Sequence, residues 1–162
     1  MSGTSGQPES APKILVVDDD EGVRDSISMV LRAAGYGVMT AADGEQALTR
    51  VKETRIDLLL LDLGLPVKSG WEVFEGIASE QPLIPIIIMT GLANQQFTAL
   101  AAGASVLMEK PLDVVSLLRC IKELLAEPVE KRANRISGHG RDFRRVPPAS
   151  WFKGTDSAGI VA

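Results

Sequence analysis

The chain has 162 residues and a formal net charge of −4, and it is 45% hydrophobic but only 4% aromatic. That length suits one domain of ordinary size with some surplus, built around an aliphatic core. No apolar run approaches the ~20 residues that cross a bilayer, and the N-terminus lacks the basic-then-apolar pattern of a signal peptide. The single cysteine, Cys120, excludes an internal disulfide. The expectation is a cytoplasmic protein with no membrane partner, with Cys120 a small packing residue on a helix.

Charge is unevenly distributed. Residues 1–127 carry 10 Lys/Arg against 18 Asp/Glu, a net of −8, whereas residues 128–162 carry 7 against 3, a net of +4. Such an asymmetry suggests physically distinct segments. Residues 1–12 are Ser, Gly and Pro with almost nothing to bury and read as a disordered lead-in. Lys13 opens Ile14-Leu15-Val16-Val17, a buried strand that ends in Asp18-Asp19-Asp20. Asp20 is placed to cap a helix carrying Val23, Ile27, Val30 and Leu31 on one stripe, and Gly35 sits where a helix C-terminus favours glycine.

A weaker strand is expected over 36–42. Asp43-Gly44-Glu45-Gln46 then has the form of a capping-box variant, followed by a helix with Ala47, Leu48 and Val51 inward. Leu58-Leu59-Leu60-Leu61-Asp62 is the densest run, able to be buried on both faces of a parallel sheet. It ends in one carboxylate, with Gly64 and Pro66 behind it. Gly70 starts a third helix, with Trp71, Val73, Phe74 and Ile77 as packing residues. Leu83 to Thr90 reads as a strand closed by Thr90-Gly91, and a short Ala-rich helix is expected at about 94–102. A strand at 105–108 leads to Glu109-Lys110-Pro111-Leu112. Asp113 is placed to cap a last helix bearing Leu117, Leu118, Ile121, Leu124 and Leu125, which Pro128 stops.

Five β-α repeats over residues 13–127 predict an α/β domain: a five-stranded parallel sheet with helices on both faces. In such sheets the reactive groups lie beyond the carboxyl ends of the strands. The residues that break the apolar runs, Asp18/Asp19/Asp20, Asp62, Thr90 and Lys110, all fall at those ends and so share one edge. Three neighbouring carboxylates repel one another, and a hard divalent cation such as Mg²⁺ relieves that. A carboxylate, a divalent metal, a Lys and a Thr around one point make a phosphoryl-transfer arrangement, with the carboxylate as nucleophile. Singly these features are weak: acids after a strand are often helix caps, Thr-Gly is usually a turn, and Lys-Pro is usually a loop. Their coincidence at four strand ends carries the argument. A haloacid-dehalogenase-type phosphatase would want a second Asp two residues after the nucleophile, where this chain has Gly64, so that reading fails.

The combination VVDDD…LLLLDLGLP…G…IIIMTG…EKP resembles the receiver domain of bacterial two-component response regulators, over about residues 13–127. The resemblance implies a flavodoxin-like (βα)5 fold with strand order 2-1-3-4-5. It implies that Asp62 accepts a phosphoryl group from a sensor histidine kinase or histidine phosphotransfer protein. Asp19 would ligate Mg²⁺ directly, Asp18 largely through water, and Asp62 and the Gly64 backbone carbonyl would complete the protein ligands. Thr90 and Lys110 would contact the phosphoryl group, Lys110 lying before what the family usually has as a cis Pro111. Pro66 and Gly70 match the loop after the acceptor, and Asp20 matches no ligand position.

This chain departs from the family pattern in three places. Leu107 stands where the family usually has a Tyr or Phe that swings inward on activation. The stretch from Thr90 to Lys110 is shorter than usual. Gly64 and Leu92 offer no polar side chain at two positions that tune water access to an acyl phosphate, which predicts slow self-dephosphorylation. The expectation is a signalling phospho-acceptor rather than an enzyme acting on a separate substrate. Its partners would be a downstream protein target and a homodimer through the last strand and helices. Residues 128–162, rich in Arg, Gly, Pro and Ser, read as a basic flexible tail too short for a typical output domain, and nucleic acid is not expected as a partner. The alternative is a transcription regulator that uses this tail as a reduced DNA-binding output. Trp151-Phe152 is the aromatic pair in the tail, readable as a short docking element or as packing back onto the domain, and His139 is assigned no role.

Overall fold

Within each apolar run, alternate residues face opposite sides of the sheet, as the period of two in a strand requires. The computed structural model describes residues 10–65, 69–91, 103–136 and 144–149. Its elements are β1 (Lys13–Val17), α1 (Glu21–Ala33), β2 (Gly37–Ala41), α2 (Gly44–Glu53), β3 (Leu58–Asp62), α3 (Gly70–Glu80), β4 (Ile86–Thr90), β5 (Val106–Glu109), α4 (Val114–Leu125), α5 (Val129–Ile136) and β6 (Arg144–Val146). The helix expected at about 94–102 lies outside the described residues, as do Pro66, Leu92, His139 and Trp151-Phe152.

All strand pairings are parallel, in the order β2-β1-β3-β4-β5-β6. The five expected strands are therefore present in the expected order, with a sixth added beside β5. Leu15, Val17, Leu59, Leu61, Ile86, Ile88 and Leu107 pack with α2 and α3 on one face. Ile14, Val16, Leu58, Leu60, Ile87, Met89, Val106 and Met108 pack with α1 and α4 on the other. β3 and β4 are buried over their whole length. Fully burying one such aliphatic side chain is worth about 1.5–3 kcal/mol, so these two central strands anchor the sheet.

The caps follow the local chemistry. Asp20, Asp43 and Asp113 accept from the backbone N–H groups of Val23, Gln46 and Ser116, and Ser69 does the same for Glu72 at the start of α3. The Gln46 amide oxygen reaches back to the Ala42 N–H at 2.9 Å, one residue before the cap. Gly35 ends α1 with φ +95°, a conformation L side chains rarely adopt, and nothing crowds its missing Cβ. The strand expected from Leu83 begins at Ile86 instead. Pro82 and Pro85 lack N–H donors, and Leu83 stays exposed.

The stretch expected to be a flexible tail contributes to the fold in part. Pro128 does not simply end the preceding helix, because its carbonyl accepts from the N–H groups of Lys131 and Arg132 and opens α5. β6 then pairs with β5 in the register Val106↔Arg144, Leu107↔Arg145, Met108↔Val146. Val146 is buried there in the α4-side core.

Candidate functional site

The ends of β1, β3, β4 and β5 meet at one rim of the sheet, because parallel pairing brings Val17 beside Leu61, Asp62 beside Met89 and Thr90 beside Glu109. Asp18, Asp62 and Thr90 are buried, Lys110 is partly so and Asp19 is exposed. One carboxylate oxygen from each of Asp18, Asp19 and Asp62 lies within 4.8 Å of the others. The Lys110 ammonium sits between two of them, 2.7 Å from Asp18 Oδ2 and 3.2 Å from Asp62 Oδ2. Four residues from three distant parts of the chain are thus joined in one polar cluster against an aliphatic core.

Each group is held in place by its element. The Asp18 carboxylate accepts from the Asp20 N–H at 3.0 Å, and its carbonyl accepts from Arg24 Nη1 at 2.7 Å. Asp62 Oδ1 accepts from the Gly64 N–H at 2.9 Å. The Lys110 N–H donates to the Thr90 carbonyl at 2.8 Å, and the Lys110–Pro111 peptide is cis. Gly70 is required by close approach: a Cβ there would lie 2.4 Å from Leu63 Cα and 2.7 Å from the Asp62 carbonyl oxygen. A side chain at Gly70 would therefore push α3 away from the end of β3. At Gly64 a Cβ would make only ordinary contact with Asp62.

Burial pushes the Asp62 carboxyl above its ordinary value and the Asp18 charge adds to this, while the Gly64 N–H and Lys110 pull it down. For Lys110, burial favours the neutral amine. The hydrogen bond to Asp18 and the charges of Asp62 and Asp18 outweigh it, so the ammonium form is stabilised. One cation facing three carboxylates leaves an excess of negative charge and unshared oxygen lone pairs. A hard, oxygen-preferring divalent ion fits that donor set.

Asp18, Asp19, Asp62, Thr90, Lys110 and Gly64, singled out by sequence, all come to this rim. Two supporting residues were not singled out for what they do here. Arg24 braces the Asp18 carbonyl, and an interaction with main chain leaves no sequence signal. Gly70 stands out in sequence as a helix start, but its steric need becomes visible only when α3 meets β3. Leu107 lies fully buried on the face packed by α2 and α3. Beside Lys110, a groove of about 670 Å³ between α1 and the start of α4 is lined mainly by apolar side chains, among them Val23, Ile27, Val30, Leu112 and Leu117.

The sequence profile of the response regulator receiver domain matches residues 14–122. The chain is 35% identical over 118 residues to the transcriptional regulatory protein PrrA of Mycobacterium leprae, covering 72% of this chain and 51% of that protein. It is 36% identical over 135 residues to the transcriptional regulatory protein ZraR of Salmonella typhimurium, covering 82% of this chain and 31% of that protein. The chain thus spans about half the length of PrrA, and less of ZraR. Among solved structures, the CheY-like receiver domain protein of Methanospirillum hungatei superposes with a TM-score of 0.71 at 35% identity, over 75% of this chain and 98% of that one. The TrrA response regulator of Thermotoga maritima, solved with Mg²⁺ and BeF, gives 0.65 at 31% identity, over 70% and 98%. The shared fold, the sequence identity and a profile match across most of the sheet converge on one conclusion: the chain belongs to the response regulator receiver domain family.

Proposed function

We propose that Asp62 accepts a phosphoryl group from a histidine kinase or histidine phosphotransfer protein, in a Mg²⁺-dependent step. The observation that carries this reading is the Lys110 ammonium placed between Asp18 and Asp62 beside the exposed Asp19. In the transfer, an Asp62 oxygen bonds to phosphorus as the donor's P–N bond breaks, and the imidazole leaves. Lys110 balances charge on the phosphoryl oxygens, Thr90 is placed at the adjacent strand end to hydrogen-bond them, and the Gly64 N–H orients the carboxylate. Asp19, Asp62 and the Gly64 carbonyl would hold Mg²⁺. Asp18, both of whose oxygens already have partners, would act through water. The ion supplies further neutralisation of the phosphoryl charge. The solved Mg²⁺–BeF form of TrrA supports the analogy.

The readout would be a surface that changes near the last strand and helices, met by a downstream protein. A homodimer through that region would have to accommodate β6, which already occupies the β5 edge. A second reading, regulation of transcription through the basic segment, is favoured by the names of the relatives. Against it, Arg144 and Arg145 are paired with Glu123 and Glu109. DNA binding that depends on residues 128–162 would restore that reading.

The test is Mg²⁺-dependent labelling by a small phosphodonor such as phosphoramidate, comparing the protein with Asp62→Asn. The native chain should take up one equivalent and the variant none. Equal labelling of both would end the acceptor assignment.

A further inference from the structure

A sheet of five strands would end at β5 and present a row of unpaired backbone groups, which is a template for an added strand. Arg144–Val146 occupies that edge in parallel register. Its three side chains each meet a matched partner. Arg144 Nη2 lies 2.5 Å from Glu123 Oε2 on α4. Arg145 donates to Glu109 Oε1 from both Nε, at 2.8 Å, and Nη2. Val146 joins the core that contains Met108, Leu117, Cys120 and Leu124. Farther along, the Ala149 N–H donates to the Pro111 carbonyl at 2.8 Å. Glu109, largely buried, and Pro111 are the residues on either side of Lys110.

We propose that the β5 edge and the adjoining flank of α4 form a docking site for an extended basic-basic-apolar segment, filled by the chain's own Arg144–Ala149, and that seating this segment fixes Lys110 through Glu109 and Pro111. Two acids and an apolar hole set its specificity. Backbone pairing gives affinity, and alternate side chains give selectivity, as in other strand-addition sites. The link is reciprocal: a change at the acceptor site that moves Lys110 also changes how firmly the segment is held. This second half rests on Asp62 being a phospho-acceptor; the docking site itself does not.

The experiment uses the full-length chain with Arg145→Glu or Val146→Asp, and the charge-swapped pair Glu109→Arg with Arg145→Glu. Hydrogen exchange of the Val106 and Met108 amides, which alternate with the β4-facing Ser105 N–H, is read alongside phosphoramidate labelling in Mg²⁺. Both single variants should keep native far-UV circular dichroism while these amides exchange roughly tenfold faster, the scale of a lost charge-assisted hydrogen bond for Arg145→Glu and of a lost buried valine for Val146→Asp. Labelling should slow by roughly tenfold, short of the ~100-fold cost of a 1 Å misplacement. The swapped pair should restore both. A peptide of residues 143–149 should slow exchange again in Val146→Asp, and the same peptide with Glu in place of Arg145 should not.

Unchanged β5 exchange in both single variants would overturn the docking site. Faster exchange with unaltered labelling would overturn its link to Lys110. Protection of the native chain that disappears on dilution would overturn the intramolecular seat in favour of a second copy's segment. Absence of labelling in the native chain would instead defeat the acceptor reading, with the exchange arm still deciding the site.

Discussion

Asp18 and Asp19 are neighbours in sequence and opposites in environment. Asp18 is fully buried, with Lys110 on one oxygen and the Asp20 N–H on the other, whereas Asp19 is exposed at the rim. The motif DDD names the residues of the site but cannot divide their labour, because the division depends on which of them faces Lys110. The same cluster makes a residue-scale prediction. If the acids bind Mg²⁺, adding the ion at ten times its dissociation constant stabilises the fold by about 1.4 kcal/mol. That is ~4 °C in Tm for a domain of this size. Asp19→Asn should lose most of this rise in a thermal melt while keeping the metal-free Tm. A rise equal to the native one would place the ion elsewhere.

At the scale of elements, most boundaries were legible because local chemistry decided them. Asp20, Asp43 and Asp113 lie where an acid can take the first free N–H groups of a helix. The period of two in 14–17 and 58–61 divides each run between two faces, but which helices cover which face became visible only in the fold. The expected strand at 83–85 failed because two prolines outweigh an apolar composition. β6 was not legible: three residues, two of them Arg, give no readable alternation, and its stability comes from acids far away in sequence. The cap of α4 gives a pH prediction. Hydrogen bonds from the Ser116 hydroxyl and N–H hold the Asp113 carboxyl below its ordinary 3.8. A depressed carboxyl contributes stability above the unfolded value and loses it as pH falls through the folded one. Asp113→Ala should therefore cost about 1 kcal/mol at neutral pH. The difference in Tm from the native protein should close progressively below pH 3.8. A gap that stays constant down to the acid transition would mean the carboxylate charge is not what caps the helix.

For the whole molecule, folding gathers Asp18, Asp62 and Lys110 from points 44 and 92 residues beyond the first, so the acceptor rim exists only while the sheet does. The fold class and the rim could be read from sequence because each strand signals its own end. The covered β5 edge could not, since it depends on the chain returning to the sheet after a helix. Among the described residues, no helix is long and apolar enough to cross a membrane.

Cys120 gives that integrity a chemical reporter. It is the chain's one thiol, on the buried face of α4 in the same core as Val146, and burial pushes it further from the thiolate form. A thiol reagent can reach it only when α4 lifts or the core opens. The native protein should therefore react with Ellman's reagent at the rate of its own opening, and Val146→Asp should react faster. A single-hit colorimetric clock thus sits on the inner face of α4, with no label to introduce and no second sulfhydryl to confuse it.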